Sequence, residues 1–169
     1  MNTNIIPLVE QIHLSGISWP TYETLLIELE HRHLRLTYNH GNLEIISPSP
    51  EHERYKQTLG RFVETIAEEM NIIIEPFGST TLKLKEQIGA EPDQCFYIRN
   101  LAQITQKKRL DLTKDPPPDL VIEIDITSSS ENRLSVYASL NIPEIWVDDG
   151  SKFKIYNLLN KNYVLTEQS

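Results

Sequence analysis

Three carboxylates share one alternating register in the stretch Pro116-Pro117-Pro118-Asp119-Leu120-Val121-Ile122-Glu123-Ile124-Asp125-Ile126-Thr127. Read as a strand, it places Leu120, Ile122, Ile124 and Ile126 on one face and Asp119, Val121, Glu123 and Asp125 on the other. One face reads as core and the other as mostly acid. Residues two apart along a strand lie about 7 Å apart, so two flexible carboxylates can converge on one hard cation or both turn to water. The spacing permits metal binding. Alternation alone is also met by a half-exposed sheet with a solvated acidic face, and that simpler arrangement is the expectation from this stretch by itself. A further acid, Asp93, stands at the mouth of a short apolar run, Glu91-Pro92-Asp93-Gln94-Cys95-Phe96-Tyr97-Ile98.

Bulk properties narrow the classes. At 169 residues and 39% hydrophobic, the chain is the size of one ordinary domain, expected over 1–169, and can bury a core without staples. Its one cysteine, Cys95, excludes a disulfide within the chain and reads as a small buried residue in an apolar run. No apolar run approaches the ~20 residues that span a bilayer, and the start has no basic leader followed by a hydrophobic segment. The expected location is cytoplasmic. A net charge of −8 argues against a protein that coats nucleic acid by bulk attraction. It argues less against a nuclease, whose carboxylates a bound cation neutralises. The basic run Gln106-Lys107-Lys108-Arg109 and the pair Lys83 and Lys85 read as a solvated loop and a solvated strand face.

The elements that must position these acids follow from pattern. Pro20 and the spacing of Tyr22, Leu25, Leu26 and Leu29 predict a short amphipathic helix. Leu34-Arg35-Leu36-Thr37-Tyr38 and Leu43-Glu44-Ile45-Ile46 predict a hairpin around Asn39-His40-Gly41-Asn42. Ser49 caps a long helix with Pro50 in its first position and Glu51 and Glu53 at its positive end. Tyr55, Leu59, Phe62, Val63, Ile66 and Met70 form its apolar stripe. Glu51 and His52 occupy its exposed first turn and could face a site. Strands are expected over 72–77, 80–85 and 91–98, and 99–115 is a polar excursion without assignment. Ser128 with Glu131 predicts a capping box for a helix carrying Leu134, Tyr137 and Ala138 inward. Asn141 and Pro143 end that helix, and Glu144-Ile145-Trp146-Val147-Asp148 is the next strand. A short helix between two strands implies a crossover and a parallel pair. Residues 152–156 and 163–166 read as a closing hairpin. No glycine-rich phosphate loop, CxxC pair or internal repeat is present.

The order helix, strand, strand with Asp93, strand with Glu123, helix, strand resembles the PD-(D/E)XK nuclease fold. The phrases Glu91 to Ile98, Asp119 to Ser130 and Tyr137 to Trp146 resemble the Uma-type restriction endonuclease domain family, over roughly residues 15 to 165. The resemblance implies an α/β (α+β) fold: a restriction endonuclease-like core with a mixed central β-sheet flanked by helices, plus N- and C-terminal β-hairpins. Residue by residue, it puts the motif's first acid on Asp93 and the second on Glu123, with the Ile124 carbonyl as a further oxygen ligand for Mg²⁺ or Mn²⁺. Hard divalent cations take oxygen ligands, acidify an attacking water and neutralise charge on a phosphate. His52 matches a histidine often found at this point in the family, where it binds metal through water or hydrogen-bonds a phosphate; solvation of the capping region is the structural alternative. Asp119 could be a supporting acid or could terminate the triproline turn.

The chain departs from the motif at its third position, where Asp125 replaces the lysine expected two residues after Glu123. A lysine there orients the attacking water and stabilises developing charge, and an aspartate can instead bind metal. Arg133, on the following helix, either supplies the positive group or is a surface side chain. The expected activity is metal-dependent endonucleolytic hydrolysis of DNA phosphodiester bonds, with a homodimer by analogy to restriction enzymes. The alternative is a nuclease-fold binding module without catalysis, which the missing lysine and the acidic charge favour.

Overall fold

The computed structural model describes residues 11–126 and 131–169. In chain order the elements are β1 (Gln11–Leu14), α1 (Trp19–Glu28), β2 (Arg35–Asn39), β3 (Asn42–Ile46), α2 (Pro50–Glu69), β4 (Glu75–Pro76), β5 (Leu82–Leu84) and β6 (Ile88–Ala90). They continue as β7 (Gln94–Tyr97), α3 (Leu101–Ile104), β8 (Leu120–Ile124), α4 (Glu131–Ser139), β9 (Glu144–Asp148), β10 (Phe153–Leu159) and β11 (Asn162–Thr166). This is a mixed α and β fold of two sheets, with a central sheet flanked by helices.

Local chemistry accounts for the boundaries. Ser18 caps α1 by accepting from Thr21 N–H, and Ser49 caps α2 by accepting from His52 N–H at 3.1 Å. The hairpin of β2 and β3 turns at His40 and Gly41, whose φ values of 44° and 91° are those of a two-residue turn matched to strand twist. Asn141, at φ 57°, takes the left-handed conformation after α4. The capping box expected at Ser128 lies outside the described residues.

One sheet is antiparallel, in the order β1-β3-β2-β6-β5, so the first hairpin is the middle of a five-stranded sheet. The other runs β11-β10-β9-β8-β7-β4, and its β8–β9 pair is parallel, joined through α4 as the crossover argument requires. The closing hairpin, β10 and β11, extends this second sheet. The two sheets share one core, in which Leu82, Ile88 and Ala90 of the first meet Cys95, Val121 and Ile145 of the second, with Tyr137 of α4.

Three expectations need correction. The acidic face of β8 is not solvated: Leu120, Ile122 and Ile124 pack with Val63 of α2, while Val121, on the face with Glu123, packs into the shared core. Both faces are covered, because α2 lies over one and α4 with the first sheet over the other. The stripe of α2 is rotated, burying His52, Lys56, Gly60, Val63 and Ala67 and leaving Phe62 and Met70 at 52% and 63% exposure. The expected strand over 72–77 shrinks to Glu75–Pro76, paired with β7, with one further main-chain bond from Phe77 N–H to the Cys95 carbonyl. Residues 99–115 contain α3 and an ion pair of Lys107 with Asp115.

Candidate functional site

Strands β7 and β8 are antiparallel, with Phe96 opposite Leu120 and Gln94 opposite Ile122. One further step of that register sets Asp93 opposite Glu123, and opposed residues project to the same face. Beyond that step a side chain replaces the ladder: Oδ2 of Asp93 accepts the main-chain N–H of Ile124 at 2.9 Å. The same oxygen lies 3.0 Å from Nε2 of His52. His52 is therefore not exposed, as its first-turn position suggested, but buried, at 5% exposure.

Glu123 is 2% exposed and held at both oxygens. The Tyr137 hydroxyl donates to Oε1, and Nη2 of Arg133 donates to Oε2 at 2.7 Å. Arg133 and Tyr137 lie four apart on α4 and so share a face. Arg133 is only 5% exposed, so it is not a surface side chain; its Nη1 donates to Oε2 of Glu44 at 3.0 Å and its Nη2 stands 3.7 Å from Asp125. Asp125 follows the end of β8, and its main-chain N–H donates to the Asp148 carbonyl at 2.8 Å. Asp119, at the other end of β8, accepts from the N–H groups of Ile98 and Arg99 at 2.8 and 2.9 Å, which ties the start of β8 to the segment after β7.

His52, Asp93, Glu123 and Arg133 thus line one cleft together with Arg35 and Glu91. Its volume of ≈ 10 Å³ is room for about one water or one small ion. Glu44 and Tyr137 were not singled out as site residues from sequence. Tyr137 carried a signal, its spacing from Arg133. Glu44 carried none, because its partner is 89 positions away.

Electrostatics follow from this crowding. Burial pushes the Glu123 carboxyl up to about 7, Arg133 pulls it down, and the charge of Asp93 pushes it up again. Burial opposes charging of His52, but its hydrogen bond to Asp93 and the charges of Asp93, Glu53 and Glu123 outweigh this and raise its pKa. Burial also works against the Arg133 guanidinium, yet Glu123 and Glu44 more than offset it and keep it charged. Three carboxylates, of Glu44, Glu123 and Asp125, stand within 4.0 Å of this one guanidinium, with Asp93 across the same cleft. Arg35 and His52 line that cleft as well, so its acids face several basic groups.

The donor types fit a divalent cation. Two carboxylates and the Ile124 carbonyl are hard oxygen donors. Beside the cleft, Nδ1 of His52 faces Oε1 of Glu53 at 3.6 Å, beyond hydrogen-bond length, and Nε of Arg35 is buried without a hydrogen-bond partner. Among the described residues no three His, Cys, Asp or Glu side chains stand in a ligand set.

Comparison with known proteins follows the geometry. A crystal structure of a putative nuclease belonging to DUF820 from Anabaena variabilis superposes with a TM-score of 0.61, over 90% of this chain and 85% of that one, at 15% sequence identity. That likeness is one of fold. None of the curated proteins matches the chain. The sequence model described as "Uma2: Putative restriction endonuclease" matches residues 19–169, which takes in every element above except β1, and the chain belongs to that family.

Proposed function

We propose that this chain is a metal-dependent endonuclease hydrolysing DNA phosphodiester bonds, with Asp93 and Glu123 as carboxylate ligands and the Ile124 carbonyl and Asp125 as further oxygen donors. The observation that carries this is the opposition of Asp93 and Glu123 across β7 and β8, buried in one cleft with His52 and Arg133. Mg²⁺ or Mn²⁺ bound there would supply an acidified water and offset charge on the phosphate. The chain's own groups do the rest. His52 and the Ile124 N–H fix the rotamer of Asp93. Tyr137 holds one oxygen of Glu123. Asp125 stands where the motif has lysine, and Arg133 reaches the cleft from α4 to offer a phosphate the positive group that lysine would have given.

DNA has two strands of opposite polarity, so two copies related by a two-fold axis would present one site to each, and a homodimer belongs to this proposal. One domain over 1–169, working in the cytoplasm, completes it; among the described residues no helix is long and apolar enough to cross a membrane. A second reading, a nuclease-fold module that binds without cutting, is favoured by Arg133 and Tyr137 already satisfying Glu123. Nicking of supercoiled DNA in Mn²⁺ separates the two. The parent should nick and Glu123→Gln should not; equal background nicking by both leaves the binding module.

A further inference from the structure

We propose that Glu44, on the other sheet, is the positioning residue for Arg133, and that by holding one arm of the guanidinium it leaves Glu123 able to take a divalent cation. This rests on the metal-dependent reading above. Glu44 is buried at the middle of β3, opposite His13 of β1 and Thr37 of β2, so its backbone is fixed from both sides. Its Oε1 accepts from Nε2 of Gln11 at 2.6 Å and its Oε2 from Nη1 of Arg133 at 3.0 Å. The other arm of Arg133, Nη2, goes to Glu123 at 2.7 Å.

The division of the two arms is the point. A guanidinium facing a single carboxylate forms a two-pronged pair that claims both oxygens. Here Glu44 detains Nη1, so Arg133 uses one oxygen of Glu123 while a neutral hydroxyl, Tyr137, uses the other. Glu123 can then turn to a cation without leaving Arg133 as a buried, unpaired charge, a state that would otherwise oppose the exchange. Space for the movement is present. Arg133 and Glu44 also line a second cavity of ≈ 260 Å³, with His13, Asn39, Asn42 and Asn132 around it. The guanidinium can swing towards that cavity while keeping Glu44.

Without Glu44, Arg133 closes on Glu123 and competes with the cation. Isothermal titration of Mn²⁺ into the full chain tests this with four proteins: parent, Glu44→Gln, Arg133→Gln and the double variant. Glu44→Gln should weaken Mn²⁺ about tenfold, with Glu44→Asp recovering part of the loss. In the Arg133→Gln background, Glu44→Gln should change the affinity by less than about twofold, because the competitor is gone. If Arg133→Gln does not fold, Arg133→Lys replaces it: an ammonium cannot fork between two carboxylates, and the effect of Glu44→Gln should again shrink. An equal loss with and without Arg133 would mean that Glu44 acts only as a nearby charge, and the proposal falls. Parent-like binding by Glu44→Gln also overturns it while leaving the metal-dependent reading intact. A parent that binds no Mn²⁺ overturns both.

Discussion

Asp93 and Ile124 are joined across neighbouring strands by a side chain to main chain hydrogen bond of 2.9 Å, at the point where the β7–β8 ladder gives way. The acid thereby does a backbone's work, and its orientation is set by the sheet rather than by its own rotamer preference. Because Oδ2 takes both this bond and the contact to His52, any change at position 93 is felt on two elements at once.

Conservative replacement separates the two duties of Asp93. Asparagine keeps an acceptor oxygen for Ile124 and removes the charge, so Asp93→Asn should fold. In the parent, Mn²⁺ at about a hundred times its Kd should add about 2.7 kcal/mol, which at this size is a melting-temperature rise of roughly 5–10 °C. Asp93→Asn and Glu123→Gln should lose most of that rise. Melting curves in Mn²⁺ and in EDTA measure it, and a parent melt indifferent to Mn²⁺ would remove the cation from the proposal.

Burial raises the Glu123 carboxyl to about 7 from an ordinary 4.5, with Arg133 opposing and Asp93 assisting. Between those two values the folded chain binds more protons than the unfolded one, so this group's contribution to stability falls as pH rises from about 4.5 to about 7 and is then flat. His52, also raised, acts with the same sign: its contribution is full below its unfolded pKa and is lost as pH rises through its folded one. Glu123→Gln should therefore flatten part of the decline. Cation binding needs the ionised carboxylate, so the Mn²⁺-induced rise in melting temperature should be small near pH 6 and grow towards about pH 8. A cation effect that does not vary with pH over this range would show that the binding carboxylates lie elsewhere.

Tyr137 is fully buried and donates to Glu123, so Tyr137→Phe keeps the ring in the core and deletes one hydrogen bond to a carboxylate. The cost should be about 1–3 kcal/mol where Glu123 is ionised. Below its folded pKa the carboxyl carries its own proton and the penalty should shrink. Urea melts at about pH 5 and about pH 8 give the comparison; equal losses at both would mean the hydroxyl matters only for packing.

How far the sequence reaches can be judged at particular residues. The strand at β8, the cap at Ser49, the hairpin turn at His40 and Gly41 and the crossover through α4 are local or nearly local signals, and all are found. The facing of Asp93 and Glu123 is a register, which alternation alone leaves open and strand pairing decides. What periodicity cannot say is what lies on top of a face. The acids of β8 read as solvated because nothing in 119–125 reveals that α4 and a second sheet cover them. For the same reason Arg133 and His52 look exposed in one dimension and are buried in three. Phe62 and Met70 went the other way: the buried face of α2 runs through Lys56, Gly60, Val63 and Ala67, with the Gln94 side chain against Gly60.

The scaffold that carries Glu44 can be weakened without touching the cleft. Gly89 of β6 lies beneath the Tyr22 ring of α1, which stacks on Tyr38 at 5.0 Å between ring centres and is fully buried. A Cβ at position 89 would stand 2.1 Å from the Tyr22 hydroxyl and 2.6 Å from Cζ, and neither the stacked ring nor the paired strand has room to yield. Gly89→Ala should then cost about 1–3 kcal/mol or more from overpacking. Tyr22→Phe should be nearly neutral or stabilising, because the hydroxyl it removes is buried without a hydrogen-bond partner. Neither residue lines the cleft, so both variants should keep the parent's Mn²⁺-induced rise in melting temperature from their own baselines. Gly89→Ala melting with the parent would show that α1 sits further from β6 than the ring stack implies. A lost cation effect in either variant would mean that the distortion reaches Arg35, Thr37 and Ile46, which the first sheet supplies to the cleft.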